Sequence, residues 1–219
     1  MQSPIEKNGG CNRIVCGKSS CHYQFCWSCL KDWNVHGYNA SCNKFDEEEA
    51  QKATGSRVSL QRYLHYYNRF TNHKASLKLE AKLSEEVEKK MLQMQKLNFS
   101  YVETQFLQQS VLILTECRRT LMYTYALGFY LLPSNAKQLF EDNQQDLEVA
   151  TEQLSEFLER DMEQEEQGEN NSLQLLSQKV KDKARYVHRR RLVLEEQCLE
   201  STEKKMFVFD ETLTKGIKF

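Results

Sequence analysis

The sequence predicts a mainly α protein in which a small zinc-binding module precedes an all-helical bundle of about four long helices. Three observations carry that expectation. Six of the eight cysteines lie within the first 42 residues. Helix breakers are scarce, with two prolines and eight glycines, and most of the glycines precede residue 60. Beyond that point apolar residues recur every three or four positions, the period of an amphipathic helix. The expected boundary falls near residue 45, giving a zinc-binding module over 1–45 and a helical domain over 46–219.

The module is read from its ligand spacing, C-x4-C-x4-C-x4-C-x2-C-x6-H-x5-C from Cys11 to Cys42. The C-x2-C pair Cys26 and Cys29 offers two thiolates from one turn, and His36 and Cys42 complete a tetrahedral zinc set. Cys11, Cys16 and Cys21 are too few for a second set of four. Two readings of Cys11 stand open. It joins Cys16 and Cys21 around a second metal, completed by His22 or by another chain; or, in the loop Gly9-Gly10-Cys11-Asn12, it is a nucleophile that a bulky acyl group can approach past two residues without side chains.

Asp46-Glu47-Glu48-Glu49 marks the boundary, as an exposed link or an acidic first turn. A first long helix is expected from Val58, with Leu60, Leu64, Tyr67, Leu83, Val87, Met91 and Met94 on one face. Asn98 is placed to cap a second helix through Phe106, Val111, Leu114, Cys117, Leu121 and Tyr125, apolar on more than one side and therefore central. Pro133-Ser134-Asn135 breaks the chain before a third helix through Leu139, Leu147, Leu154 and Leu158. The polar run Glu163 to Asn171 reads as a loop or frayed end, and a fourth helix starts near Ser172 with Leu173, Leu176, Val180, Ala184 and Val187.

Charge narrows the partners. A formal net charge of -1 and a pI near 6.5 give no global basic field for nucleic acid or an anionic membrane, so protein partners are expected. Arg189-Arg190-Arg191 share their helix with glutamates and read as a solvated face. The uncharged apolar stretch from Thr120 to Leu132 is shorter than a bilayer span and reads as buried helix. Met1 to Gly10 lacks the apolar core of a signal peptide, so reduced thiols and a cytoplasmic location are expected, with the nucleus as second candidate.

Ile5-Glu6-Lys7-Asn8-Gly9-Gly10-Cys11-Asn12, Phe25-Cys26-Trp27-Ser28-Cys29-Leu30, Trp33 and His36 resemble the catalytic second RING-like domain of RING-between-RING ubiquitin ligases. Gln61 to Phe70 (QRYLHYYNRF), Leu121-Met122-Tyr123-Thr124-Tyr125 and Phe157-Leu158-Glu159-Arg160-Asp161 are similar to the helical domain of their Ariadne branch. The resemblance implies that Cys11 accepts ubiquitin as a thioester from a conjugating enzyme and passes it to a substrate lysine. It also implies zinc at Cys26, Cys29, His36 and Cys42, and half of a second zinc site at Cys16 and Cys21. Leu79, Glu80 and Glu152 match positions of an inhibitory face that covers the cysteine until a neddylated cullin-RING ligase releases it.

The chain departs from that pattern in several places. The C-x2-C pair expected upstream of Cys11 and the first RING, which docks the conjugating enzyme, have no counterpart in it, so the chain resembles the C-terminal part of such a ligase. Arg13 stands where a His is expected. A guanidinium cannot act as a general base, but its charge could ease ionisation of Cys11. Leu79 replaces a Phe, and the His36 to Cys42 interval is one residue short, which touches the local shape near Tyr38. The rival expectation is a zinc-binding and helical interaction module without chemistry.

Overall fold

The computed structural model describes residues 4–38, 42–47, 55–160 and 172–215. The module begins with a hairpin: strand β1 (Arg13–Val15) runs antiparallel to β2 (Gln24–Cys26), with Ile14 opposite Phe25. Both of these side chains are buried and form its small apolar centre. Leu30 adopts a left-handed φ of 62°, which turns the chain back so that Asp32 bridges Phe25. Asp32 then caps the one-turn helix α1 (Trp33–His36) by accepting from the Asn34 N–H at 2.8 Å.

Among the described residues four long helices follow, α2 (Gly55–Lys96), α4 (Phe106–Tyr130), α5 (Asn135–Glu159) and α6 (Ser172–Glu203), with one short helix, α3 (Tyr101–Thr104), between the first two. Their caps explain their ends. Ser100 and Glu103 form a reciprocal capping box at α3, and Ser134 accepts from the Lys137 N–H at the start of α5. Asn98, expected as a cap, instead takes a left-handed φ of 66° at the end of α2.

The core lies where α2, α4, α5 and α6 meet, around Val87, Leu114, Cys117, Leu121, Leu147, Leu154, Val187 and Leu194, all fully buried. Phe207 closes one end, because the chain after α6 returns beside the end of α4. There the Leu132 N–H donates to Val208 O at 2.8 Å, and the Asp210 N–H to Tyr130 O at 2.9 Å.

The faces of two helices differ from the sequence-based expectation. Leu60, Leu64 and Tyr67 are exposed, as is Leu139 on α5. The buried face of α2 runs through Tyr66, Arg69, His73, Ser76, Glu80, Leu83, Val87, Met91 and Met94, at helical spacing throughout but polar in its middle. A search for apolar periodicity passes over that polar middle and latches onto the neighbouring Leu and Tyr stripe. The run Glu163 to Asn171 lies outside the described residues, as do Glu48 and Glu49. Glu47 is described and pairs with Arg62 at 2.6 Å.

The basic run of α6 is engaged internally in part, Arg190 with Asp146 and Arg191 with Glu116 and Glu195. Among the described residues no helix is long and apolar enough to cross a membrane. Truncating a central core side chain, Leu121→Ala, is expected to cost about 2–5 kcal/mol of unfolding free energy. Urea denaturation followed by circular dichroism measures it, and a loss below about 1 kcal/mol would contradict the packing described.

Candidate functional site

Two features of the module hold chemistry. The first is a ligand cluster, in which one donor atom each from Cys26, Cys29, His36 and Cys42 lies within 4.8 Å of the others. The β2 end and its following turn bring Cys26 and Cys29 together, and α1 presents His36. His36 Nδ1 is 2.6 Å from Gly37 O and donates to it, which leaves Nε2 as the lone-pair nitrogen. That Nε2 is buried with no hydrogen-bond partner. A buried unpartnered imidazole nitrogen facing three thiols is what a tetrahedral zinc ion would satisfy. Hydrogen bonds from Cys26 and Cys42 hold the Cys29 thiol well below the usual thiol range, while the same contacts push the Cys26 and Cys42 thiols up, so a bound cation would be needed for all three to be thiolates. Zinc would be held here by three thiolates and one imidazole and would supply structure rather than an open coordination position.

Cys16 and Cys21 stand outside that cluster, both in the connection between β1 and β2, and among the described residues no group of three ligands forms around them.

The second feature is Cys11, which is 6% exposed because its loop packs against the middle of α2, α4 and α5. The contact is polar and dense. On one side Ser76 Oγ and Arg118 Nη2 donate to Gly10 O at 3.1 and 3.0 Å. On the other, the N–H groups of Gly10 and Cys11 donate to Glu159 Oε1 at 2.9 and 3.2 Å. Asn12 is held through both its backbone N–H and its side chain by Glu152. Lys7 Nζ donates to Asn12 Oδ1, Asn72 Oδ1 and Ser76 Oγ at 3.0–3.1 Å, and burial lowers its pKa to about 8.

At the centre lies Arg118, with no exposed surface, which bonds Glu80 at 3.0 Å, Glu152, and the Gly10 carbonyl. Burial, then the charges of Glu152 and Glu159, push the Cys11 thiol far above its ordinary range, only partly opposed by the Arg13 N–H, 3.4 Å from Sγ, and by the charge of Arg118. In this arrangement the thiol is protonated and shielded, hence a poor nucleophile.

An Ariadne domain matches residues 61–182, and an IBR domain matches residues 1–37. The first match alone covers more than half of the chain. The chain belongs to the Ariadne family. It is 50% identical over 212 residues to the E3 ubiquitin-protein ligase ari-1.1 of Caenorhabditis elegans, covering 94% of this chain and 42% of that protein. To ariadne-1 of Drosophila melanogaster and ARIH1 of Homo sapiens, both E3 ubiquitin-protein ligases, it is 48% identical over 214 residues, covering 94% of this chain and 41% and 37% of theirs. The chain spans about two fifths of the length of these relatives.

The residues singled out from sequence occupy different positions in this Ariadne structure. Glu152 touches the Cys11 loop directly, whereas Glu80 acts on it through Arg118. Leu79 is half-buried on α2 and takes no part in the polar contact. Arg13 turns its guanidinium to Gln24 Oε1 and to Glu156, 3.1 Å away, so its backbone N–H rather than its charge bears on Cys11. Arg118, Lys7, Asn72, Ser76, Ser155, Glu156 and Glu159 were not singled out as site residues. Arg118 carried a signal: Leu114, Arg118, Leu121 and Tyr125 recur at helical spacing, which places a cation on a buried register. Tyr38, next to the shortened interval, donates its hydroxyl to Glu156.

The metal reading is tested by elemental analysis of the purified chain. Cys29→Ser or His36→Ala is expected to lose the zinc held by the four-ligand cluster, while Cys16→Ser with Cys21→Ser leaves that ion in place. Equal zinc content in wild type and His36→Ala would remove the assignment.

Proposed function

We propose that this chain is the transfer part of a ubiquitin-protein ligase of the RING-between-RING type, in a self-inhibited arrangement. On this reading Cys11 accepts ubiquitin as a thioester, and the helical domain covers it until a partner withdraws the cover. The observation that supports it best is the Cys11 loop, held by Glu152, Glu159, Ser76 and Arg118 with the thiol protonated. A structural cysteine needs no such polar cover, whereas a nucleophile to be silenced gains by it. The naming of the relatives as E3 ubiquitin-protein ligases agrees with this role.

The chemistry asked of the protein is modest. Withdrawal of the helical domain returns Cys11 to water, removes the carboxylates beside it and lowers its pKa, so a thiolate can attack the thioester of a charged conjugating enzyme. Discharge follows when a lysine amine attacks the new thioester. The partners on this reading are ubiquitin, a ubiquitin-conjugating enzyme docked by an upstream RING, protein substrates and a neddylated cullin-RING ligase as the releasing agent. Location in the cytoplasm, or the nucleus, fits such partners. The rival reading, an interaction module without chemistry, draws on the absence of an imidazole at Arg13 and on Cys16 and Cys21 standing apart from the ligand cluster.

With an upstream RING and a charged conjugating enzyme supplied, a ubiquitin adduct on Cys11 that reducing agent removes is expected. Its absence favours the module. Glu80→Ala combined with Glu152→Ala should raise labelling of Cys11 by a thiol-reactive ubiquitin probe, and unchanged labelling refutes the inhibitory role.

Arg13→His should separately speed discharge of a preloaded thioester to free lysine, because imidazole can take the proton that guanidinium cannot. A single-turnover assay reads this, and an unaltered rate rules out the missing base as the limit.

A further inference from the structure

The Cys11 loop carries an arrangement that the inhibitory contact alone does not explain. The N–H groups of Gly10 and Cys11 converge on one oxygen, Glu159 Oε1, at 2.9 and 3.2 Å, and Ser155 Oγ donates to the same oxygen at 2.8 Å. The next N–H, that of Asn12, points to Glu152, and the one after it, that of Arg13, points to Cys11 Sγ at 3.4 Å. Successive backbone N–H groups aimed at negative charge form an anion-binding nest. The nucleophile's own N–H paired with a nearby N–H is a recurring way to stabilise an oxyanion in acyl transfer. The glycines are needed for this approach: a Cβ on Gly9 would stand 2.6 Å from Glu159 Oε2, and one on Gly10 would stand 2.9 Å from Ser155 Oγ.

Resting on the acyl-transfer reading above, we infer that the Gly10 and Cys11 N–H groups form the oxyanion hole of the Cys11 thioester, and that the Glu159 carboxylate is a built-in plug occupying it. Glu159 then acts as more than a clamp. Its carboxylate oxygen sits where the thioester oxygen would sit as it gains charge. In the transfer step the lysine amine attacks the thioester carbonyl carbon, a C–N bond forms, and the carbonyl π electrons move onto oxygen, where the two N–H groups hold them. Collapse re-forms the carbonyl and breaks the C–S bond, releasing the Cys11 thiolate, while the surplus amine proton passes to solvent. With Glu159 in place the hole is filled and the loop cannot stabilise that oxygen.

The test uses the full chain and a probe that needs neither ubiquitin nor a conjugating enzyme. Cys11 of each variant is acylated, by incubation long enough to load even the slow wild-type thiol, with a small acetyl thioester donor labelled with carbon-13 at the carbonyl. The infrared stretch of that carbonyl is taken as a difference against Cys11→Ser. Iodoacetamide alkylation of Cys11, which forms no oxyanion, measures how far each variant merely loosens the loop.

In Glu159→Ala the stretch is expected to move to lower frequency than in wild type, because the freed N–H groups now donate to the thioester oxygen. Ser76→Ala, which loses a bond to the opposite side of the Gly10 peptide, should raise alkylation without that shift. No shift in Glu159→Ala, or an equal shift in Ser76→Ala, overturns the inference. Because the thioester is made without the enzyme cascade, failure to form a ubiquitin adduct leaves this readout intact, and the two proposals fail separately.

Discussion

The structure depends on the pairing of one cation, Arg118. A guanidinium with no exposed surface cannot shed its charge, so its donors must be met by protein groups. Glu80 from α2 and Glu152 from α5 supply two acceptors, and the Gly10 carbonyl of the module supplies the third. These bonds fix three helices in register with one another and fix the loop on top of them. Removing one partner of such a buried pair leaves charge uncompensated and costs about 3–5 kcal/mol. In the polar middle of α2, Glu80 meets this requirement, while Asn72 and Ser76 stand where a core helix would carry leucine because they bond Lys7, Gly10 and Asn12 of the module.

Local signals were the legible ones. The ligand cluster could be read from spacing because three of its four members lie within eleven residues of one another and the fourth follows six positions after His36. The long helices could be read because apolar periodicity survives wherever helix packs on helix, as at Val87, Met91, Leu114 and Leu147. Apolar periodicity passes over the part of α2 that receives the module, because the burial there is satisfied by hydrogen bonds. The network around Cys11 joins residues up to 149 positions apart, from Gly10 to Glu159, and no window of sequence contains both. The family resemblance supplied Glu80 and Glu152, but the residue connecting them, Arg118, lay on a helix read only as apolar core.

Cys11 shows how far environment, rather than residue type, decides reactivity. A thiol beside two glycines is accessible in sequence, yet burial and two carboxylates hold its proton in place. The same loop presents main-chain N–H groups to acidic side chains, and on the proposed reading those groups serve the transfer reaction once the side chains leave. Inhibition and chemistry would then draw on one set of donors, and exclusivity between the two states would need no separate switch.

Arg118 also divides its bonds unequally between the parts it connects. Two go to carboxylates of the helical domain itself, and only the third reaches the loop. When the loop departs, the ion triad stays whole and a single carbonyl contact is exchanged for water. The socket around Arg118 thus keeps both of its carboxylate pairs whether or not the loop is seated in it. On the proposed reading recapture would require no refolding of the helices, so the cover would be lifted and replaced repeatedly, like a lid whose frame stays on the box.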